Sequence, residues 1–403
     1  MIKMNIIIYF FAFIVIIYFP LAVIQFAGIL KNIIEKHHKN IYIINPPVSG
    51  REIIVEITTN GGNPDTVESI IKTLKSYSLG LKIYVAKEEY DKYKYSADEI
   101  VIPLSYKTPN GSKTKLRALQ YAIEEIHRMG YGKETYICHL DDDSIVERDY
   151  LRFVYSMDGV SGQGEIRLRE YGVHLMSTLA DFIRVSDCDI YCKHFNSHGR
   201  TMFVHGEGLV IRADIEYEFG WDYATYGADD VIMGNLISRK YGFQRIPYHI
   251  FVSPPVSAKD FYKQRRRWMA AIMLARKKLW SISHKLMFFL FYRYVVGWIG
   301  LFGFAFLIYG IIFGLKMPVI LMVMSIFDTA SYFAIYQYGA LNTNKKYAIL
   351  TFVLQYGISL YEGLTLWYSI FFPPDTSTFD VIHKVPVKST NKNDKPTNKN
   401  KAR

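Results

Sequence analysis

Hydrophobic and polar positions divide the chain into three regimes. From Met4 to Leu30 no charged residue occurs and Ile, Phe and Val dominate. That run exceeds the roughly 20 residues needed to cross a bilayer. It lacks the small-residue cleavage pattern of a signal peptide, so a retained transmembrane helix is expected over residues 1–30. Lys31, Lys36, His37, His38 and Lys39 follow within a linker, 31–50, and place that end in the cytoplasm. The pattern then changes. Ile53–Thr59, Leu81–Ala86, Glu99–Pro103 and Thr135–Leu140 are short β-rich runs, whereas Val67–Tyr77 and Lys113–Met129 carry Ile and Leu at helical spacing. Alternation of this kind predicts an α/β domain over 51–258 with a mainly parallel sheet. In such sheets ligands collect beyond the carboxyl ends of the strands.

The third regime is apolar again. Phe261–Trp280 is basic with one apolar side (Trp268, Met269, Ile272, Met273, Leu279), as suits an interface helix over 259–283. Three apolar stretches follow within 284–372: Leu286–Leu315, Val319–Leu341 and Tyr347–Phe372. Residues 373–403 are polar, and the Lys/Asn/Pro-rich end after Lys388 is expected to be disordered. A cytosolic domain and a cytosolic tail require an even number of crossings between them. Tyr347–Phe372, which contains Gly357 and Glu362, is therefore expected to be re-entrant or interfacial.

Composition narrows the partners. Half the residues are hydrophobic and the net charge is +11, a balance that suits anionic headgroups or phosphate-bearing ligands. The long apolar runs argue against a nucleic-acid partner. The three cysteines, Cys138, Cys188 and Cys192, are odd in number and lack CxxC spacing. They give neither a disulfide framework nor a zinc site, and small buried hydrophobes in a reducing compartment are expected.

Candidate chemistry begins where Thr135–Leu140 runs into Asp141-Asp142-Asp143-Ser144. Carboxylates at a strand end can hold Mg²⁺ or Mn²⁺, which prefer oxygen ligands; an exposed acidic turn explains the same residues. Gly227-Ala228-Asp229-Asp230 precedes an apolar helix. From spacing alone a helix cap accounts for that pair, and a general base is the alternative. In Lys263-Gln264-Arg265-Arg266-Arg267-Trp268, arginine forks suit a diphosphate and the indole suits a sugar ring. A membrane-surface helix is compatible with both. Lys113, Lys115 and Arg117 form a lesser basic group, for which a solvated face serves equally for the lysines.

The order of these elements resembles the D…DxD…TED…QxxRW pattern of family-2 membrane glycosyltransferases, among them cellulose and hyaluronan synthases. A closer resemblance, to egghead-type β-1,4-mannosyltransferases, is carried by residues 115–121, by His139-Leu140-Asp141 and Gly162-Gln163-Gly164, and by 178–181 with 184–187. It implies a GT-A fold facing the cytosol, a nucleotide-sugar donor and a lipid-linked acceptor. On that resemblance Asp141 and Asp143 match the metal and diphosphate motif, and Asp230 the base. Gln264, Arg267 and Trp268 match QxxRW, and Arg117 a position that approaches donor phosphate. Ala-Asp-Asp replaces Thr-Glu-Asp, which leaves Asp229 as a supporting residue only; Thr59 and Glu88 are the weaker nucleotide contacts.

The implied reaction is inverting transfer of a hexose, with GDP-mannose favoured over UDP-glucose, and with Mg²⁺ or Mn²⁺ as cofactor. The rivals are a processive polysaccharide synthase and a non-catalytic membrane adaptor. The first shares every motif, but its channel needs more membrane helices than this chain offers. The second has no need of the six intact motif residues.

Overall fold

The computed structural model describes residues 2–37, 48, 50–169, 171–195, 199, 201–297, 299–314, 317–375 and 382. Most of the expected linker beyond His37 and nearly all of the polar tail lie outside them. The apolar N-terminal run forms α1 (Ile2–His37). The first half of the soluble domain is β1 (Glu52–Thr59), α2 (Pro64–Ser76), β2 (Lys82–Glu88), β3 (Asp98–Ile102), α3 (Thr114–Arg128) and β4 (Thr135–Asp141). Ile53, Ile54, Val55 and Ile57 are buried on both faces of β1, the near-continuous apolar signature of a strand covered on both sides. Pro64 opens α2 with Asp65 in its first turn. Leu116, Leu119, Ile123 and Ile126 form the buried stripe of α3.

The second half comprises β5 (Ile145–Val146), α4 (Arg148–Val154), β6 (Ser161–Leu168), α5 (Leu175–Asp187), a π-helical turn Cys188–Cys192, α6 (Lys193–Phe195), β7 (Val210–Arg212), α7 (Ala213–Phe219), α8 (Asp229–Lys240) and β8 (Gln244–Val252). One eight-stranded sheet results, in the order β3-β2-β1-β4-β7-β6-β8-β5. Its first four strands are parallel as expected. The rest adds antiparallel pairings to a sheet in which four of the seven pairings are parallel. β7 runs antiparallel to β4 and β6, and β5 antiparallel to β8, while β6 and β8 pair in parallel. These strands are short or interrupted by Gly162, Gly164 and charged residues, so they leave no period-2 signal in the chain.

Beyond the sheet lie α9 (Ala258–Ile282), α10 (His284–Val296), α11 (Gly300–Ile312), α12 (Val319–Thr343), α13 (Lys346–Val353) and α14 (Gln355–Phe371). Two helices, α1 and α12, are long and apolar enough to cross a membrane, and Phe19 and Phe26 of α1 pack on Phe327 of α12. The stretch Leu286–Leu315, read as one apolar segment, is instead two helices of 13 residues. Each rises roughly 20 Å, short of the ~30 Å hydrocarbon core. Tyr347–Phe372 is bent by 74° between α13 and α14, the broken or re-entrant form anticipated for it.

A single hydrophobic cluster runs from Ile53 and Val55 in the sheet, through Phe182 and Val185 of α5, to Tyr332 and Ile335 of α12. The sheet domain and the apolar helices therefore share one core. At its centre a Cβ on Gly339 would lie 2.0 Å from the Phe182 carbonyl oxygen, so α5 and α12 touch backbone to backbone. Gly164 is equally confined. A Cβ there would stand 2.4 Å from both the Tyr248 carbonyl oxygen and the Tyr150 ring. Gly164→Ala is expected to cost about 1–3 kcal/mol, read as a lower thermal midpoint in detergent. Gly132→Ala, which meets nothing within 4 Å, should leave the midpoint unchanged.

Candidate active site

The parallel strands β1, β2 and β4 end at Thr59, Glu88 and Asp141, side by side on the sheet edge where ligands collect. Asp141 closes β4 with its N–H donated to Ser144 Oγ at 3.0 Å. Asp142 turns toward β1, where its Oδ2 accepts from Thr59 Oγ1 at 3.4 Å and from Asn63 Nδ2 at 3.3 Å. Burial, followed by the charges of Asp143 and Asp141, pushes the Asp142 carboxyl up to about 7. Asp143 lies within electrostatic reach of Glu207. Glu88 receives Arg117 at 2.6 Å, and Arg117 also donates to the carbonyls of Pro103 and Tyr106. For Arg117 to approach a donor phosphate, that pairing must open.

Lys115 is not on a solvated face. Its Nζ lies 2.6 Å from Asp141 Oδ1 and 3.8 Å from Asp229 Oδ2. Burial would lower its pKa, but these carboxylates outweigh burial and hold it charged. The second strand-like approach to this lysine comes from the start of α8. There Ala228 sits in the left-handed region at φ 59° and turns Asp229 and Asp230 toward the pocket. Asp230 Oδ1 accepts the Val231 N–H at 2.8 Å, but Ala228 is the N-cap residue and no side chain caps the helix; the two aspartates sit in its first turn, where their charge suits the dipole. Burial and Asp229 together push Asp230 up to about 7, with Lys115 opposing and Glu207 adding to the rise. Gly206 forms the floor, its missing Cβ 3.2 Å from Lys115 Nζ and 3.8 Å from Asp230 Oδ2. Thr58, Lys115, Asp141, Gly206, Asp229 and Asp230 line one pocket.

Helix α9 brings the third motif. Ser257 caps it by accepting the Asp260 N–H at 3.1 Å. Gln264 is buried, and the positive charge of Arg267 acts on Asp142. Trp268 lies beneath two guanidinium groups, Arg265 at 4.6 Å and Arg184 at 5.1 Å from its ring centre. Arg265 is 6% exposed and pairs with Asp181 at 2.7 Å and with Glu362 of α14 at 2.8 Å. Arg184 pairs with Glu207 at 2.9 Å. The sequence reading assigned no role to Lys115, Asp181, Arg184, Glu207 or Arg265. One signal was present: α5 is buried from Ser177 to Ser186, and a helix apolar on every side that still carries Asp181 and Arg184 must be pairing them internally.

Two buried clusters lie behind the pocket. Glu56, His139 and Glu216 meet in the core, with His139 Nε2 2.9 Å from Glu216 and Trp221 Nε1 donating to Glu216 at 2.7 Å. Cys188 and Cys192, expected to serve only as small hydrophobes, converge with His205. The sequence hid this because His205 lies on a different segment. Cys138 remains buried on β4.

A mixed sheet with aspartates at its switch point and an acidic helix start facing them is the arrangement of a GT-A-like fold. The chain belongs to glycosyl transferase family group 2, which matches residues 136–344. It is 26% identical over 303 residues to β-1,4-mannosyltransferase egh of Drosophila melanogaster, covering 70% of this chain and 65% of that one. It is 27% identical over 247 residues to β-1,4-mannosyltransferase bre-3 of Caenorhabditis elegans, covering 57% of this chain. The chain thus spans 65% and 54% of the length of these relatives. In fold it is similar to the mannosyltransferase PcManGT from Pyrobaculum calidifontis, solved in complex with GDP-Man and Mn²⁺. The TM-score is 0.51 at 14% identity, over 89% of this chain and 99% of the other.

Arg265→Ala leaves half-buried Glu362 without its cation and buried Asp181 with only Arg184 at 3.6 Å, and should cost about 3 kcal/mol of stability. Thermal unfolding in detergent measures this. Arg276→Ala, exposed on the same helix, should shift stability by no more than about 0.5 kcal/mol.

Proposed function

We propose that this chain transfers a hexose from a nucleoside-diphosphate sugar to a hydroxyl of a membrane lipid or glycolipid, with inversion at the anomeric carbon. The observation that carries the reading is Asp230. It is a carboxylate held near neutrality, sharing one pocket with Asp141 and joined through Lys115 and Gly206 to the network around Trp268. The names of the relatives favour mannose, and GDP-mannose as donor, with UDP-glucose the competing choice. The membrane acceptor is supported by α9, which carries the QxxRW residues toward an end where Met273, Leu274 and Trp280 stand exposed beside Arg276, Lys277 and Lys278. Such a surface suits anionic headgroups. The catalytic domain is assigned to the cytoplasmic side from the basic residues at the C-terminal end of α1, Lys31, Lys36 and His37, and just beyond it.

In the reaction, Asp230 removes the acceptor proton as the hydroxyl oxygen attacks the anomeric carbon. The bond to the diphosphate oxygen breaks as the new glycosidic bond forms, and the nucleoside diphosphate leaves. Arg267, on the first turns of α9, offers its charge to that leaving group. Trp268 offers a flat wall to the sugar, and Gln264 steadies the turn that presents both. Lys115 keeps the carboxylates of Asp141 and Asp229 compatible at short range. Asp141 and Asp143 form an all-oxygen donor set crowded with like charge, which fits Mg²⁺ or Mn²⁺. When bound, such an ion supplies charge neutralisation for the diphosphate.

Asp230→Asn should lower kcat by ~10²–10⁴-fold while GDP-mannose binding is retained, measured by turnover and calorimetry on purified enzyme with membrane-lipid acceptors. Near-native turnover would remove Asp230 from the base position. Chelation should abolish turnover and added Mn²⁺ restore it; full activity in chelator would sink the metal assignment.

A pH profile gives a second check. Asp230 faces Asp229, Lys115 and Glu207, with His205 and Tyr294 also within electrostatic reach. Its basic form is the active one, so kcat/KM should rise with pH and level off above about 7. That limb should disappear from the residual activity of Asp230→Asn.

A further inference from the structure

We propose that Cys188, Cys192 and His205 form a binding site for a thiolate-preferring divalent ion of the zinc class, separate from the Asp141–Asp143 carboxylates. The three ligand atoms lie within 4.8 Å of one another. Cys188 Sγ stands 3.6 Å from His205 Nε2. Ligand bonds of about 2.3 Å to sulfur and about 2.0–2.1 Å to nitrogen, at tetrahedral angles, put sulfur and nitrogen about 3.6 Å apart. The spacing is thus already that of two ligands sharing one ion.

The support around these atoms agrees. His205 Nδ1 lies 3.0 Å from the Glu207 carbonyl oxygen and 3.6 Å from its carboxylate. A proton on Nδ1 would be donated there, leaving Nε2 with its lone pair toward the cysteines. Backbone carbonyls and carboxylates commonly orient metal-bound histidines in this way. The Ile166 N–H donates to Cys188 Sγ at 3.2 Å, which stabilises a thiolate. Two thiolate ligands and a divalent cation would sum to zero charge, which a partly buried position tolerates. The cysteines occupy one π-helical turn, a geometry that recurs at functional sites. A small cavity lined by Gln163, Glu165, Lys193 and Arg245 adjoins them and leaves room for a fourth, non-protein ligand.

The location gives the ion a task. His205 immediately precedes Gly206, the pocket floor, and Glu207, the partner of Arg184. An ion here staples the π-helical turn after α5 to the loop before β7 that carries both. Nothing in this depends on which sugar is transferred, and the role is structural rather than catalytic.

The full chain, purified in detergent under reducing conditions, should retain about one zinc per molecule after equilibration with buffered Zn²⁺ and dialysis. Titration of the wild type with Co²⁺ should develop thiolate-to-metal charge-transfer absorption, a readout that needs no variant. Cys188→Ser and Cys192→Ser should each lose that absorption and the zinc, whereas Cys138→Ser should keep both. Weakening in each ligand variant should exceed the roughly 10–100-fold typical of losing a supporting partner. Two results would overturn the site: a correctly folded wild type with no charge-transfer band, or a Cys188–Cys192 disulfide in freshly isolated protein by thiol counting.

Discussion

Arg265 holds three parts of this molecule in one place. Its guanidinium reaches Asp181 on the helix under the sheet and Glu362 on the bent membrane-side helix, while its flat face rests on Trp268. A charge so deeply buried is tolerated only when paired on every side. The consequence is geometric: α5, α9 and α14 cannot move independently without exposing an unmatched charge. Arg184 repeats the arrangement one turn further along α5, joining Glu207 to the same indole. Asp187 then closes the series on Arg293 of α10 at 2.7 Å. The surroundings of Trp268 are thereby built from the same ion pairs that seat the domain on the helices following it.

The reacting pocket follows a different rule. It gathers more carboxylates than its one lysine can balance, and the excess appears as Asp142 and Asp230 lifted toward neutrality. Such a site is poised to accept cations and protons. Both are what departure of a diphosphate and activation of a hydroxyl demand. Lys115 prevents the crowding from becoming repulsive enough to open the turn at Ala228.

Legibility in the sequence tracked how local each feature is. The strands β1, β2 and β4 announced themselves through unbroken apolar runs, and Asp141 was placed correctly because it directly follows one. α9 was legible to within three residues at each end, since its basic and apolar positions mark Phe261–Trp280 within the observed Ala258–Ile282. Lys115 was misread because a lysine beside a helix start looks alike in solvent and in a salt bridge; only the return of α8, more than a hundred residues later, decides between them. β6 escaped because Gly162 and Gly164, the latter confined by Tyr248 and Tyr150, erase the alternation that marks a strand, and β7 because three residues are too few to show one. His205 could not be matched with Cys188 and Cys192 from spacing, because the intervening chain leaves and returns. The resemblance motif around Thr178–Asp187 was visible as a pattern, but its physical meaning as a charged hinge plate between domain and membrane was not.

The backbone contact between Gly339 and Phe182 bears on how this enzyme can be handled. Many anchored enzymes yield a free-standing soluble fragment once their anchors are cut away. Here the anchor supplies part of the domain's own interior: α12 covers the face of α5, and α14 contributes a carboxylate to Arg265. Truncation after α9 would strip a wall from the core and leave charges facing water through an apolar breach. The unit that folds is the assembly of sheet and membrane helices together, and the boundary between catalyst and anchor is one of chain position only.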